Sequence, residues 1–203
     1  MPHLEVKNLK KRFAGNVVFK DLNVNTESSV LGIGGENGSG KTTLLKCLCG
    51  LLKPSSGTVQ WNINGKSLKS DQITTEVGFL APSVQLYGNL TCLENIRFLC
   101  ELRNLNCEFK DLVNLLGAFQ MLQFADHAYG ELSTGQQQRI KLVAATFHNP
   151  SVLILDEPGA NLDSKGKELV RNLLSDYKND DKMVIIASNQ SEELELSDQI
   201  IWL

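Results

Sequence analysis

What the chain lacks narrows its class before any motif is considered. No run of about eighteen uninterrupted apolar residues occurs, so the chain is not expected to cross a membrane by itself. The opening MPHLEVKNLKKRF has no apolar segment of the secretory kind, and membrane work would need a partner. There is no excess of positive charge: 20 basic against 23 acidic side chains give a net charge of -3. Affinity for a phosphate backbone rests on clustered Lys and Arg, so no nucleic acid is expected as a ligand. The five cysteines (Cys47, Cys49, Cys92, Cys100, Cys107) are odd in number and lack paired metal spacing, which reads as reduced core thiols in a reducing compartment. Repeats, low-complexity tracts and linkers are absent too.

What is present is a chain of 203 residues, long enough to bury a core without staples. LEVKNLKKRF and VVFKDLNVNT alternate in period two around Gly15-Asn16 and predict a β-hairpin. Ser29 to Gly34 is a short apolar strand, and Lys41 to Leu52 a helix that stops before Pro54. Gly57 to Gly65 and Val77 to Leu80 read as further strands. Between Leu90 and Phe124 the apolar spacing turns to three and four, which predicts helices inserted between strands. Helices at Gln136–Phe147 and Lys165–Tyr177 then alternate with strands in SVLILDEP, Met183–Ala187 and Asp198–Leu203, the pattern of a parallel sheet with crossover helices.

The strongest local signal is Gly35-Glu36-Asn37-Gly38-Ser39-Gly40-Lys41-Thr42, a P-loop pattern with a strand before it and a helix after it. Glycines let backbone N–H groups wrap anionic oxygens, and the helix start adds its positive end. Lys41 then reaches the β- and γ-phosphates of ATP, the Thr42 hydroxyl ligates Mg²⁺, and Thr43 extends the binding segment. Downstream, Val152 to Glu157 is an apolar strand ending in two carboxylates. Asp156 is expected in the magnesium shell, and Glu157 as the group that polarises the attacking water.

Leu132-Ser133-Thr134-Gly135-Gln136-Gln137-Gln138-Arg139 resembles the LSGGQ signature of ATP-binding-cassette (ABC) ATPases, and Ala160-Asn161-Leu162-Asp163 is similar to that family's D-loop. P-loop, signature, LILDEP and D-loop follow in the family's order. The resemblance implies an α/β P-loop NTPase fold with a mostly parallel central sheet, an N-terminal antiparallel β subdomain and an inserted α-helical subdomain. It divides the single domain 1–203 into a β subdomain and nucleotide-binding core (1–89 and 126–203) and a helical subdomain near 90–125, with the signature at 132–136. It further implies a head-to-tail dimer, homodimer or heterodimer, in which Ser133, Gly135 and Gln136 contact ATP held by the P-loop of a second ATPase domain. Phe13 falls where the family stacks an aromatic on adenine, with a core Phe as the alternative. Asp163 falls where the dimer couples its two sites, with a solvated turn as the alternative.

Three positions depart from the family pattern. Thr134 replaces the middle glycine of the signature. Pro82 stands where a magnesium-contacting Gln belongs, with Gln85 three residues later as a substitute ligand. Asn189 replaces the histidine that contacts the γ-phosphate; an amide donates a hydrogen bond but carries no positive charge. The resemblance implies an ATP hydrolase on the inner face of the cell membrane, peripheral and cytoplasmic, energising separate transmembrane permease subunits that dock near Tyr87 to Arg103. Residues Leu86, Tyr87, Leu90 and Leu93 would line that groove unless they belong to the core. The run KLVAATFHNPSVLILDEPGANLD is similar to short single-cassette exporters, haem exporters among them. A regulatory subunit with weak hydrolysis and a soluble non-transport ATPase are the alternatives.

Overall fold

The computed structural model describes residues 1–203, the side chains of Ser70 and Asp71 excepted. The chain opens with β1 (His3–Phe13) and β2 (Asn16–Thr26), antiparallel across a turn whose two residues, Ala14 and Gly15, both have positive φ (44° and 92°). That is the turn whose twist matches a hairpin. There follow β3 (Val30–Gly34), α1 (Lys41–Leu48), β4 (Ser56–Ile63), β5 (Lys66–Ser67), α2 (Ser70–Glu76) and β6 (Val77–Leu80). Next come α3 (Cys92–Leu102), α4 (Phe109–Ala118) and α5 (Thr134–Thr146). The chain closes with β7 (Val152–Asp156), α6 (Ser164–Asn179), β8 (Met183–Ser188), α7 (Ser191–Leu194) and β9 (Gln199–Trp202).

Two sheets result. One is antiparallel, in the order β2-β1-β4-β5; the other is parallel throughout, in the order β6-β7-β8-β3-β9. The sequences of β3, β7 and β8 (VLGIG, VLILD, MVIIAS) are buried at every residue, as strands covered on both faces must be. Period two sends their side chains into two cores. Leu31, Ile33, Val152, Ile154 and Ile185 meet Leu44, Leu45 and Leu48 of α1 and Trp61 of β4, whose Nε1 donates to the Leu48 carbonyl at 2.8 Å. Val30, Leu153, Leu155, Val184 and Ile186 face the other way, onto Ile140 and Val143 of α5 and Val170 and Leu174 of α6. Leu93, expected in the docking groove, is in this second core.

Helix α1 ends earlier than expected, at Leu48, because Gly50 takes a left-handed conformation (φ 77°) and donates back to the Cys47 carbonyl. A second correction concerns the cysteines. Cys100 and Cys107 form a disulfide, whereas Cys47, Cys49 and Cys92 are free and buried. The reason is topological: α3 ends at Leu102 and the chain doubles back into α4, bringing the two Cα atoms to 6.2 Å, within bridging range. Burial pushes the Cys49 and Cys92 thiols up to about 11. Among the described residues no helix is long and apolar enough to cross a membrane.

Candidate functional site

The carboxyl ends of β3, β7 and β8 lie side by side, the edge of a parallel sheet where ligands bind. The loop leaving β3 turns on Gly35, Gly38 and Gly40, all with φ between 86° and 155°. Gly38 has nothing within 4 Å of where a Cβ would stand, so its backbone faces open space. The loop then enters α1 at Lys41. A cavity of about 440 Å³ here is lined by Phe13, Val18, Asn37, Gly38, Gly40, Lys41, Thr42, Thr43, Pro82, Asp156 and Glu157.

Lys41 is buried, and its Nζ donates to the carbonyls of Gly35 (2.7 Å) and Glu36 (3.0 Å). The Thr42 hydroxyl donates to Asp156 Oδ2 at 2.5 Å. Burial raises the Asp156 carboxyl, opposed by the Thr42 hydrogen bond and by Lys41. Two hard oxygens converge from different elements, a donor set that suits Mg²⁺, which takes one or two protein oxygens and completes its shell with phosphate and water.

Glu157 has φ of 50°, a left-handed conformation costing a non-glycine residue about 1 kcal/mol or more. It is held there because its N–H donates to the Ala187 carbonyl at 2.8 Å. The turn aims the carboxylate into the cavity, where Oε1 accepts from the Asn189 N–H (3.1 Å) and Oε2 from the Ser188 hydroxyl (3.3 Å). Burial raises the Glu157 carboxyl; Lys41 pulls it down, and the buried carboxylate of Glu193 adds to the rise. The Asn189 amide donates to Asn37 Oδ1 at 3.0 Å and ties the segment after β8 to the P-loop.

Phe13 is 49% exposed and rims the cavity, so it is not a core residue; Lys11 Nζ lies 4.7 Å from its ring centre. Val18 stands opposite, close enough to Gly40 that a Cβ there would meet it at 2.4 Å. Sequence reasoning passed over Val18, although the hairpin register that pairs Phe13 with Asn16 would have located it.

The Gln85 expectation is corrected. Val84 N–H closes a turn onto the Ala81 carbonyl, and Gln85 Nε2 points back to the Pro82 carbonyl at 3.5 Å. Gln85 therefore lines a different cavity, of about 230 Å³, with Leu86, Leu99, Arg103, Phe147 and His148. The position beside Thr42 and Asp156 is taken by Pro82, which offers no side-chain oxygen.

The signature residues lie apart from all of this. Ser133 caps α5 in a reciprocal box: its hydroxyl accepts from Gln136 N–H, and Gln136 Oε1 accepts from Ser133 N–H at 2.9 Å. Ser133, Gly135, Gln136, Arg139, Asn161 and Asp163 line a third cavity of about 1070 Å³ that shares no residue with the P-loop cavity. The Asp163 side chain is exposed; its Oδ1 accepts from Gly166 N–H, capping α6, and from Arg139 Nη2, both at 2.8 Å. Those bonds hold its carboxyl below the usual range. Gly35, Glu36 and Ser39 line the outer flank of the P-loop, a cavity of about 820 Å³ shared with Asn189 and Trp202.

Comparison with known proteins agrees with this geometry. The model of the family described as "ABC transporter" matches residues 19–160. A sulfate/thiosulfate import ATP-binding protein of Mesostigma viride is 35% identical over 204 residues, covering 97% of this chain and 58% of that protein. An ergothioneine transport ATP-binding protein of Helicobacter pylori is 32% identical, covering 93% and 90%. A bacterial ABC transporter cassette solved as a dimer superposes with a TM-score of 0.86 at 27% identity, over 98% of this chain and 94% of that one. The chain belongs to the ABC transporter family, as one of its ATPase cassettes.

Proposed function

We propose that the chain binds MgATP in the P-loop cavity and hydrolyses it when a second cassette closes over the nucleotide, so that closing and opening drive separate membrane permeases. The observation that carries this is the separation of the two half-sites. The P-loop cavity has the cation, the metal-type oxygens and the carboxylate, but the signature residues line a cavity with no residue in common with it. One chain therefore has two incomplete sites, and a head-to-tail pair completes both. A related cassette has been solved as a dimer, also in a post-hydrolysis state with ADP and Pi.

In this reading Phe13 stacks on the base, the loop from Gly35 to Gly40 and Lys41 hold the phosphates, and Ser133, Gly135 and Gln136 of the second cassette reach the γ-phosphate. Thr42 and Asp156 would hold Mg²⁺, which would neutralise phosphate charge. Glu157 accepts a proton from the attacking water, and Asn189 keeps its carboxylate aimed. Residues 1–203 form a single cassette, with residues near 90–125 as its helical subdomain. Permeases dock at the groove of Leu86, Leu99, Arg103 and Phe147, which would hold the chain at the cytoplasmic face of a membrane. Cargo is set by those permeases. The names of relatives span sulfate/thiosulfate and phosphonate import and ergothioneine transport, and a haem or related exporter is the finer reading of the sequence. Adjacent genes for multi-span proteins and cytochrome maturation would support it.

The test is Glu157→Gln with MgATP in gel filtration: a doubled mass is expected, and a mass unmoved by nucleotide would sink the homodimer. A second reading, a regulatory cassette with slow hydrolysis, is favoured by Pro82 in the metal cavity and by Gln85 outside it. A turnover rate on MgATP indistinguishable from background would select it.

A further inference from the structure

The outer flank of the P-loop has a feature that nucleotide binding does not use. Trp202 is 68% exposed, more than any other large apolar side chain among the described residues. It is also firmly held. β9 pairs with β3 so that Trp202 lies beside Gly34, Leu203 N–H donates to the Gly34 carbonyl at 3.0 Å, and the indole lies on the bare α-carbon of Gly34. A Cβ on Gly34 would stand 2.5 Å from two ring atoms. The ring is thus a rigid apolar platform at the mouth of the P-loop, a kind of residue that anchors interfaces at low entropic cost.

Around this platform lies the cavity of about 820 Å³ formed by Gly35 to Ser39, Asn189 and Trp202. Ser39 is among its lining residues, with a hydroxyl packed against Gly35 and buried without a partner. Phe13, Thr42, Asp156 and Glu157, the groups for base, metal and water, are in the other cavity. What reaches the outer flank is set by the signature surface. Gly135 lies against the turn that precedes α6, so closely that a Cβ on it would stand 2.9 Å from the Asn161 carbonyl. Ser133, Gly135, Asn161 and Asp163 are therefore one continuous surface. Closure of the Ser133 and Gly135 end of a second copy on a phosphate in the P-loop would carry the adjoining Asn161–Asp163 turn of that copy toward the loop, whose flank is formed by Asn37, Asn189 and Trp202.

We infer that Trp202 is an aromatic anchor of the nucleotide-closed dimer, covered by the Asn161–Asp163 turn of a second copy of this chain. The inference rests on the dimer reading above. It makes the ring a docking element that engages only when nucleotide has drawn the two copies together, and it gives the outer cavity a protein occupant.

The chain contains two tryptophans, and the other, Trp61, is fully buried, so changes in emission and quenching report on Trp202. The experiment uses the Glu157→Gln chain, acrylamide quenching of tryptophan emission, and gel filtration, each with and without MgATP. Nucleotide should dimerise the protein, shift emission to the blue and cut quenching at least about twofold. Trp202→Phe in the same background should still dimerise. Trp202→Ala should weaken association about tenfold or more, while a fluorescent ATP analogue binds the dilute monomer as before. A dimer in which Trp202 stays as quenchable as in the monomer would overturn the inference, as would Trp202→Ala dimerising like its parent. So would a nucleotide-free monomer whose Trp202 is already shielded. Absence of any nucleotide-driven dimer would remove the reading beneath it, and is told apart by the unchanged mass.

Discussion

The Lys41 ammonium lies 3.7 Å from the Glu157 carboxylate, with two P-loop carbonyls completing its shell. The cation meant for phosphate is thus engaged by the loop itself and by the residue meant to receive a proton. Phosphate oxygens bound at Lys41 would compete with those partners and would leave the Glu157 carboxylate to face water. Charge-assisted hydrogen bonds contribute about 1.5–3 kcal/mol each. Lys41→Met should therefore weaken MgATP binding roughly 10- to 100-fold, read by titration calorimetry. An unchanged dissociation constant would remove Lys41 from the phosphate site.

Asn189 gives a second prediction. Its backbone N–H holds Glu157, and its side chain reaches Asn37. Asn189→Ala keeps the first bond but removes the amide, which now donates to the neutral Asn37 and is the group expected to turn to the γ-phosphate, so the expected effect is a fall in kcat of about tenfold with little change in KM, the size of one hydrogen bond formed to charge. Asn189→His should restore turnover or exceed the parent, with a dependence on pH near the imidazole range. Equal kcat in parent and Asn189→Ala would show that the amide does not touch the reacting phosphate.

These two residues also mark how far the sequence could be read. Lys41 was legible because a P-loop is local: glycine spacing, a preceding strand and a following helix all fall within about a dozen residues. Asp156 and Glu157 were legible because an apolar run that ends in acids marks the carboxyl end of a buried strand. Asn189 was found by its place after β8, but its bonds to Glu157 and Asn37 were not, since they join loops far apart in the chain. The same holds for Arg139 and Asp163, and for Gln85, whose side chain a turn at Ala81–Val84 carries away from the metal oxygens. Helices α2 and α7 escaped notice because seven and four residues are too short to show a helical period. Trp202 was the least legible: only the pairing of β9 with β3 puts it beside the P-loop.

The disulfide supplies a prediction that the cysteine count argued against. Cys100 ends in the second core, and Cys107 precedes α4, so the bridge clamps the reversal between α3 and α4. Closing a loop this short removes unfolded-state entropy worth about 2 kcal/mol. Cys107→Ser, or reduction by a dithiol, should lower Tm by about 5 °C in a chain of this size. The thiol count of the denatured, unreduced protein should be three. A count of five, or a Tm indifferent to reductant, would show that the bridge does not form in solution.

His148 sets a pH dependence whose sign can be worked out. Its Nε2 lies 3.3 Å from the Val77 carbonyl and must carry the proton to donate there, which leaves the buried Nδ1 without a partner. Burial, and then the nearby Arg103, push the imidazole down to about 4. The unfolded chain has an ordinary histidine near 6.5 and binds a proton first as pH falls. Between pH about 6.5 and 4 the unfolded state therefore holds more protons at this site, so stability rises with pH across that window, by less than about 1.4 kcal/mol per pH unit. Above it the contribution is constant. His148→Gln keeps a donor for Val77 but cannot be charged, so the fall in urea midpoint from pH 7 to pH 5 should be smaller in the variant than in the parent. Asp156 and Glu157, whose raised carboxyls act in the opposite sense, are present in both proteins and cancel in the comparison. Parallel pH curves for the two proteins would place the neutral imidazole elsewhere than in the folded core.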